Sequence, residues 1–395
     1  MRIGVVTTSY PREPGDPAGG FVAGFARWLR DAGATVEVIA AGPGARVVEG
    51  IAVDRVGGRG IFYDGGAPDA LAANTVGGWL RAARFSTELS ARVAWRLPRW
   101  DAVVSHWVAP SGLAVEGVRL AQRRDIPHLA IAHSSDVTLL QRNIAGRAAF
   151  AAVARRADLV YASAHLVVDG APGRVVAMGI DVAEVARGDR ERTRLALGLT
   201  RRTVLFLGRL VPVKGVDRLL AALPPDVDLL IAGDGPLMPT LRRMAKELDV
   251  PARFLGEVRG VERANLLAAA DLMVVPSRVL PDGRREGVPT VIFEALAAGL
   301  PVITTWAAGV DRILTDGVDV LLVEPEVGPL SAAIARLAAD PMLRAQLAVC
   351  GRVPAALRDW SQVGPRLAGR LLEKLPSSEA RTVRMTKVQK GVRSA

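Results

Sequence analysis

Two carboxylates, Glu286 and Glu294, stand eight positions apart in Arg285-Glu286-Gly287-Val288-Pro289-Thr290-Val291-Ile292-Phe293-Glu294-Ala295-Leu296-Ala297-Ala298-Gly299-Leu300-Pro301-Val302. Pro289 suits a first helical position, Gly299 suits a left-handed cap and Pro301 forbids continuation, so the pattern predicts a short helix between them. Glu294 then lies inside that helix and Glu286 in the loop before it. A ligand over the helix N-terminus would meet backbone N–H groups and the positive end of the dipole. A carboxylate on each side would accept hydrogen bonds from its hydroxyls. That chemistry suits a polyhydroxylated, anionic ligand.

The run Val204-Leu205-Phe206-Leu207-Gly208-Arg209-Leu210-Val211-Pro212-Val213-Lys214-Gly215 carries the complementary charge. Its apolar start reads as a strand, and Val216, Leu219, Leu220 and Leu223 follow at helical spacing from about Gly215. Arg209 and Lys214 therefore fall on the turn at the carboxyl end of a parallel strand, the edge where open α/β sheets bind ligands. Either cation alone would be an ordinary solvated surface charge. Framed by Gly208 and Gly215 beside a strand, the pair invites a diphosphate. Leu230-Ile231-Ala232-Gly233-Asp234-Gly235-Pro236 is a third strand-turn element, though a glycine pair after a strand is common in doubly wound folds. Leu255-Gly256-Glu257-Val258 is of the same kind and could lend backbone groups to a flat base.

The elements that position these residues alternate along the chain. Strand patterns occur at 2–7, 35–40, 102–105, 128–132, 159–162 and 174–177, and again at 203–207, 228–232, 252–255, 272–275, 302–304 and 320–323. Amphipathic helical stretches separate them, so the class is α/β with two similar parallel-sheet halves. The charged stretch from Asp181 to Thr200 has no strand pattern and reads as the connector. Past Leu375 the small, basic, aperiodic residues 376–395 read as a disordered tail.

A length of 395 residues, half of them hydrophobic, fits two domains better than one core. A single cysteine, Cys350, excludes an internal disulfide, and Met1-Arg2 runs straight into a strand pattern. With no apolar run near the ~20 residues of a membrane span, the expectation is a cytoplasmic protein, peripheral at most to the inner face of a membrane. The net charge of +11 points to nucleic acid, anionic membrane or anionic substrates without choosing among them. Dispersed arginines and 5% aromatic residues give nucleic acid little support. A helix expected from Trp79 to about Trp100 sets Arg81, Arg84, Arg92, Arg96 and Arg99 near one face and Phe85, Leu89, Val93 and Trp100 near the other. This is either a surface helix packing its apolar stripe or an interfacial contact with anionic membrane.

Together, Gly208-Arg209, Lys214-Gly215, the Gly233-Asp234-Gly235-Pro236 turn, and Glu286 with Glu294 resemble the C-terminal domain of retaining GT-B glycosyltransferases of the E-x7-E type, glycosyltransferase family 4 or group 1. The likeness covers about Thr203 to Val323. It implies two Rossmann-like doubly wound parallel-sheet domains facing an interdomain cleft. Residues 1–182 would bind the acceptor. Residues 183–375 would bind the nucleotide-sugar donor, with the last helix crossing back to the first domain. It further implies that Arg209 and Lys214 hold the donor diphosphate and that Glu294 binds ribose hydroxyls. Glu286, with the amides of Gly287 and Val288, would meet the donor sugar, and Gly208, Gly233, Gly235 and Val258 would complete the donor site.

The first half agrees in outline. Pro14-Gly15-Asp16-Pro17-Ala18-Gly19-Gly20-Phe21 follows the first strand as the family's glycine loop does, so Gly19 and Gly20 would let backbone approach the diphosphate. His106-Trp107 and His133-Ser134-Ser135-Asp136 follow strands too. A buried, hydrogen-bonded structural histidine is the alternative for each, evenly balanced for His106, whereas His133 fits the family's donor- or acceptor-contacting histidine, with Asp136 helping to position substrate. Met178-Gly179-Ile180-Asp181 departs from relatives that carry asparagine before the glycine.

Asp226-Val227-Asp228 is not read as a metal-binding Asp-x-Asp, because Asp228 opens a strand on the edge away from the ligand side. No Cys/His spacing suggests zinc. The reaction implied is retaining transfer of a hexose-type sugar from a nucleotide-diphosphate sugar, without obligatory metal or other cofactor. The acceptor would be a saccharide, a lipid-linked saccharide or a small molecule. An epimerase or phosphorylase on the same fold is one alternative, and a catalytically silent sugar-nucleotide or membrane-surface binding protein is another.

Overall fold

The structure, a computed structural model, describes residues 1–57 and 76–373. The tail expected at 376–395 lies outside the described residues. The chain forms two compact units: residues 1–177 together with the helix Trp360–Glu373, and residues Met178–Asp359.

The first unit holds a sheet of eight strands: β1 (Arg2–Thr7), β2 (Thr35–Ala41), β3 (Val47–Val48), β4 (Ile51–Val56), β5 (Ala102–His106), β6 (His128–Ala132), β7 (Asp158–Tyr161) and β8 (Arg174–Val175). Their spatial order is β3-β4-β2-β1-β5-β6-β7-β8, parallel throughout except for the β3–β4 pair. Those two strands were not expected from the sequence. β3 is two residues long, and β4 breaks its apolar pattern with Asp54 and Arg55, since only one of its faces is covered.

The second unit holds β9 (Arg202–Leu207), β10 (Val227–Ala232), β11 (Ala252–Gly256), β12 (Leu272–Val275), β13 (Val302–Thr305) and β14 (Leu321–Val323). Their order is β11-β10-β9-β12-β13-β14, all parallel. This is the doubly wound arrangement, with its switch point between β9 and β12. Successive residues of one strand serve opposite faces. Val204 and Phe206 join Leu229, Ile231, Leu272 and Val274 in one core, while Leu205 and Leu207 join Leu230, Met273, Val275 and Val302 in the other. Each such burial removes about 1.5–3 kcal/mol worth of side chain from water, which is why these strands read as unbroken apolar runs.

The stretch from Asp181 to Thr200 is not a bare connector. It contains the helices Val182–Val185 and Arg190–Leu197, capped by Asp181 and Asp189, and belongs to the second unit. Arg190 and Arg194 tie it to buried Asp271 at 2.7 and 3.2 Å. The break between units falls at 177/178 rather than at 182.

The arginine-rich helix spans Val76–Arg96, followed by the short 3₁₀ turn Leu97–Arg99. Phe85, Leu89, Val93 and Trp100 are buried in the first unit's core. Arg92 and Arg96 turn inward to Asp54 at 3.0 and 3.3 Å, so they do not form one cationic face with Arg81, Arg84 and Arg99, which stay exposed. The terminal helix Trp360–Glu373 packs on Gly20–Asp31, where Trp360 stacks on Phe25 at 5.9 Å between ring centroids. A Cβ on Gly24 would lie 2.2 Å from Trp360, and one on Gly364 would lie 2.2 Å from Trp28. The two helices therefore meet through reciprocal glycine–tryptophan contacts.

Candidate active site

The second unit gathers its site at the switch point. β9 ends at Leu207, and Gly208 N–H donates to the Ala232 carbonyl at 3.0 Å, Leu210 N–H to Asp234 at 2.9 Å and Gly233 N–H to Gly256 at 2.6 Å. The turns after β9, β10 and β11 are thus knit through their main chains. Gly233 has φ +139°, and a Cβ there would sit 1.9 Å from the Gly208 carbonyl; on Gly235 it would sit 2.6 Å from that of Leu210. These glycines let one loop lie on the next. Arg209 is exposed at the top of the turn.

Lys214 ends the 3₁₀ turn Pro212–Lys214, and Gly215, at φ +65°, starts the helix Val216–Ala222. A Cβ on Gly215 would lie 2.1 Å from the Pro276 carbonyl, so the loops after β9 and β12 also touch. Arg278 clips them together. Its Nε donates to the Pro212 carbonyl at 2.7 Å, its Nη1 to Asp217 at 2.9 Å, and its N–H to Val213 at 2.9 Å. The outcome is that Lys214 Nζ lies 2.7 Å from Glu286 Oε2, a pair 72 residues apart in sequence and mostly buried.

Glu286 leads into the helix Thr290–Ala297, ended by Gly299 at φ +75°. Pro289 is the N-cap, with extended ψ of 119°, rather than the first helical residue expected. Gly287 and Val288 are half-buried, and Val288 packs on the core below. Glu294 is 5% exposed. Its Oε1 lies 3.4 Å from Arg263, while its Oε2 is buried without a hydrogen-bond partner. Burial raises its carboxyl above the usual range, Arg263 opposes that rise and Glu184 adds to it. Val258 is buried in the core.

In the first unit the loops after β1, β5 and β6 carry the corresponding residues. Gly19, at φ +65°, caps the helix Gly20–Asp31, and a Cβ there would lie 2.4 Å from the Ser9 carbonyl, whereas Gly20 has nothing within 4 Å of that position. Asp16 organises the loop before them, accepting from the Arg12 guanidinium and from the N–H groups of Arg12 and Ala18 at 2.8 and 3.0 Å. Burial alone would raise the Asp16 carboxyl; its hydrogen bonds with Arg12 and Ala18 bring it below the usual range.

His106 closes β5 and His133 follows β6, its neighbour in the sheet. Their rings are nearly coplanar, at 14°, with His106 Nδ1 and His133 Nε2 3.0 Å apart. Phe21 and Trp107 pack against His133 at centroid distances of 4.9 and 4.7 Å. Trp107 holds φ +67°, a conformation unusual for a side chain of that size. Asp136 does not offer its carboxylate outward. Its Oδ2 accepts Val108 N–H at 2.7 Å, and its Oδ1 accepts those of His133 and Ser134 at 3.2 and 3.0 Å. It positions the main chain of His133.

Of the residues expected at the donor end, Arg209, Lys214, Glu286, Glu294, Gly208, Gly233, Gly235, Gly287, Val288 and Val258 all lie in the second unit; Gly19, Gly20, His133 and Asp136 lie in the first. Sequence reasoning missed Arg278, Arg263 and the Arg12–Asp16 clasp, which depend on partners no local spacing announces. Asp228 pairs with Arg201 at 3.0 Å at the start of β10, away from these loops. Among the described residues no group of three or more His, Cys, Asp or Glu converges as metal ligands would. No described helix is long and apolar enough to cross a membrane.

Comparison with known proteins places this geometry. Residues 189–352 match the family described as glycosyl transferases group 1. A GDP-mannose-dependent monoacylated alpha-(1-6)-phosphatidylinositol monomannoside mannosyltransferase of Corynebacterium glutamicum is 35% identical over 202 residues, covering 48% of this chain and 53% of that protein. The chain thus spans about half the length of this curated relative. The phosphatidyl-myo-inositol mannosyltransferase of Mycolicibacterium smegmatis is 30% identical over 390 residues, 93% of this chain and 92% of its own. Among solved structures, the sucrose-phosphate synthase of Thermosynechococcus elongatus superposes with a TM-score of 0.74 at 21% identity, over 95% of this chain and 98% of that one, and the fold is that of GT-B proteins. The near full-length relative at 30% identity, in agreement with the family match over residues 189–352, establishes that the chain belongs to the group 1 glycosyl transferases.

Proposed function

We propose that this protein is a glycosyltransferase that moves a hexose from a nucleotide-diphosphate sugar to a hydroxyl of a saccharide or lipid-linked acceptor, with retention at the anomeric carbon and no obligatory metal. The observation that carries this reading is the Lys214–Glu286 pair, 2.7 Å apart at the switch point of the second unit. The two groups satisfy each other across that distance. A donor offers each a better partner, the diphosphate for Lys214 and sugar hydroxyls for Glu286. The amides of Gly287 and Val288 assist at the sugar. Arg209 and Lys214 neutralise charge that grows on the departing diphosphate, an effect for which one lost donor costs on the order of 10²–10³ in rate. The buried, unpartnered Oε2 of Glu294 is what a ribose hydroxyl would satisfy.

With Glu294 committed to the ribose, only one carboxylate remains near the anomeric carbon, which argues against a double-carboxylate hydrolytic scheme. Retention is read instead as front-side attack, a donor phosphate oxygen taking the acceptor proton. The dependence of the Corynebacterium glutamicum relative on GDP-mannose makes that sugar nucleotide the first donor to try. Exposed Val76, Trp79 and Leu80 beside Arg81 support peripheral contact with anionic membrane at the cytoplasmic face. Purified protein should be assayed with GDP-mannose, UDP-glucose and ADP-glucose, with and without EDTA, and the product anomer read by proton NMR. Transfer with retained configuration that survives EDTA is the expected result. Transfer abolished by EDTA and restored by Mn²⁺ would overturn the metal-free mechanism, and absence of transfer with every donor would overturn the function.

A further inference from the structure

His106 is fully buried and Trp107, next to it, holds a strained backbone, yet nothing in the reading above uses His106. Its Nδ1 is 3.0 Å from His133 Nε2, and its other nitrogen, Nε2, is buried with no hydrogen-bond partner. Besides His133, the rings around it are Phe21 and Phe25, each 6.2 Å away between centroids, and Trp107 at 6.4 Å, and none of the three offers an acceptor.

We infer that His106 is a positioning residue that fixes the tautomer of His133, donating from its Nδ1–H to His133 Nε2 so that His133 presents Nδ1–H, a hydrogen-bond donor, to a substrate hydroxyl. Two neutral imidazoles can share one proton in two ways. If His133 donated from Nε2, then His106 would have to carry its own proton on Nε2, leaving an N–H buried among phenyl rings. An orphaned N–H is the rarer and costlier fault; a bare ring nitrogen there is the lesser one. The alternative in which either ring is charged is disfavoured by burial, which holds the His133 imidazole down to about 3 and His106 well below its ordinary value. His133 is therefore gripped twice, its main chain by Asp136 and its ring by His106. Held this way it cannot serve as a general base through Nε2, and its work is orientation by donation.

This rests on the reading that His133 faces substrate, and the first arm of the test does not need that reading. In protein labelled with ¹⁵N-histidine, long-range proton–nitrogen correlations report each tautomer directly. The wild type should show His133 as neutral Nδ1–H. A neutral Nε2–H form would overturn the inference whether or not any sugar transfer is found. The second arm compares His106→Phe, which fills the space but cannot donate, with His106→Asn, whose amide N–H sits near the lost Nδ1–H. The Phe variant should let His133 populate both tautomers and lower kcat by about tenfold to a hundredfold, with donor KM little changed. The Asn variant should restore both the Nδ1–H signature and most of the rate. A folded Phe variant with unchanged kcat, or an Asn variant no better than Phe, would overturn the positioning role.

Discussion

In the second unit the turns after β9, β10 and β11 are bound to one another by main-chain hydrogen bonds, with glycines at the points of closest approach. In the first unit the loops after β1, β5 and β6 are held by side chains instead: Asp16 with Arg12, Asp136 with three backbone N–H groups, and His106 with His133. The difference decides how each site responds to change. Glycine-knit loops tolerate no added atom but carry little chemistry of their own, so their charged residues are separable from the fold. Side-chain-knit loops leave room at some positions, such as Gly20 though not Gly19, yet removing a polar group unties them.

The largest effect expected from this contrast is at Lys214. Lys214→Ala should lower turnover on the order of 10²–10³ while thermal unfolding stays close to wild type, because the lysine contacts Glu286 rather than the core. Equal turnover would remove it from the diphosphate. Gly233→Ala comes next. Its Cβ would collide with the Gly208 carbonyl at φ +139°, so chemical denaturation should register a loss of about 1–3 kcal/mol. Gly20→Ala in the first unit, with open space at that position, should leave stability unchanged or raised by about 0.5–1 kcal/mol. If the two glycine variants behaved alike, the comparison between units would fail.

Asp136→Asn tests the other half. It turns an amide N–H toward a backbone N–H, and leaving a buried donor unsatisfied should cost about 1–3 kcal/mol by denaturation. The smallest change is one of pH. Burial raises Glu294 and Arg263 pulls it back, so Arg263→Gln removes a downward influence and leaves the carboxyl higher still. Donor binding that needs ionised Glu294 is lost as pH falls through that value. The acid limb of kcat/KM for the donor should therefore move to higher pH in the variant. A limb that stays in place would detach Glu294 from the ribose role.

Much of this was legible beforehand, for a physical reason. Strands buried on both faces write themselves as continuous apolar runs, and the glycines after Leu207 and Ala232 mark where loops must touch. Glu286 and Glu294 declared themselves by standing before and within a helix whose ends were set by proline and glycine. What stayed hidden were partnerships across long stretches of chain. Arg263 and Arg278 look like any of the dispersed arginines until the fold brings them to Glu294 and Pro212. β4 was missed because Asp54 and Arg55 interrupt it, and Asp54 turns out to be the partner that draws Arg92 and Arg96 off the expected cationic face. The His106–His133 bond was half visible, since both follow strands that pair in the sheet with His106 opposite Ile131.

The paired Gly24–Trp360 and Trp28–Gly364 contacts settle how this chain can be cut. Its final helix is the lid of the first core, not an appendage of the second. A fragment ending at 177 would leave Phe25 and Trp28 bare and should aggregate, whereas a piece spanning 178–359 retains both faces of its own sheet and is the half to express alone.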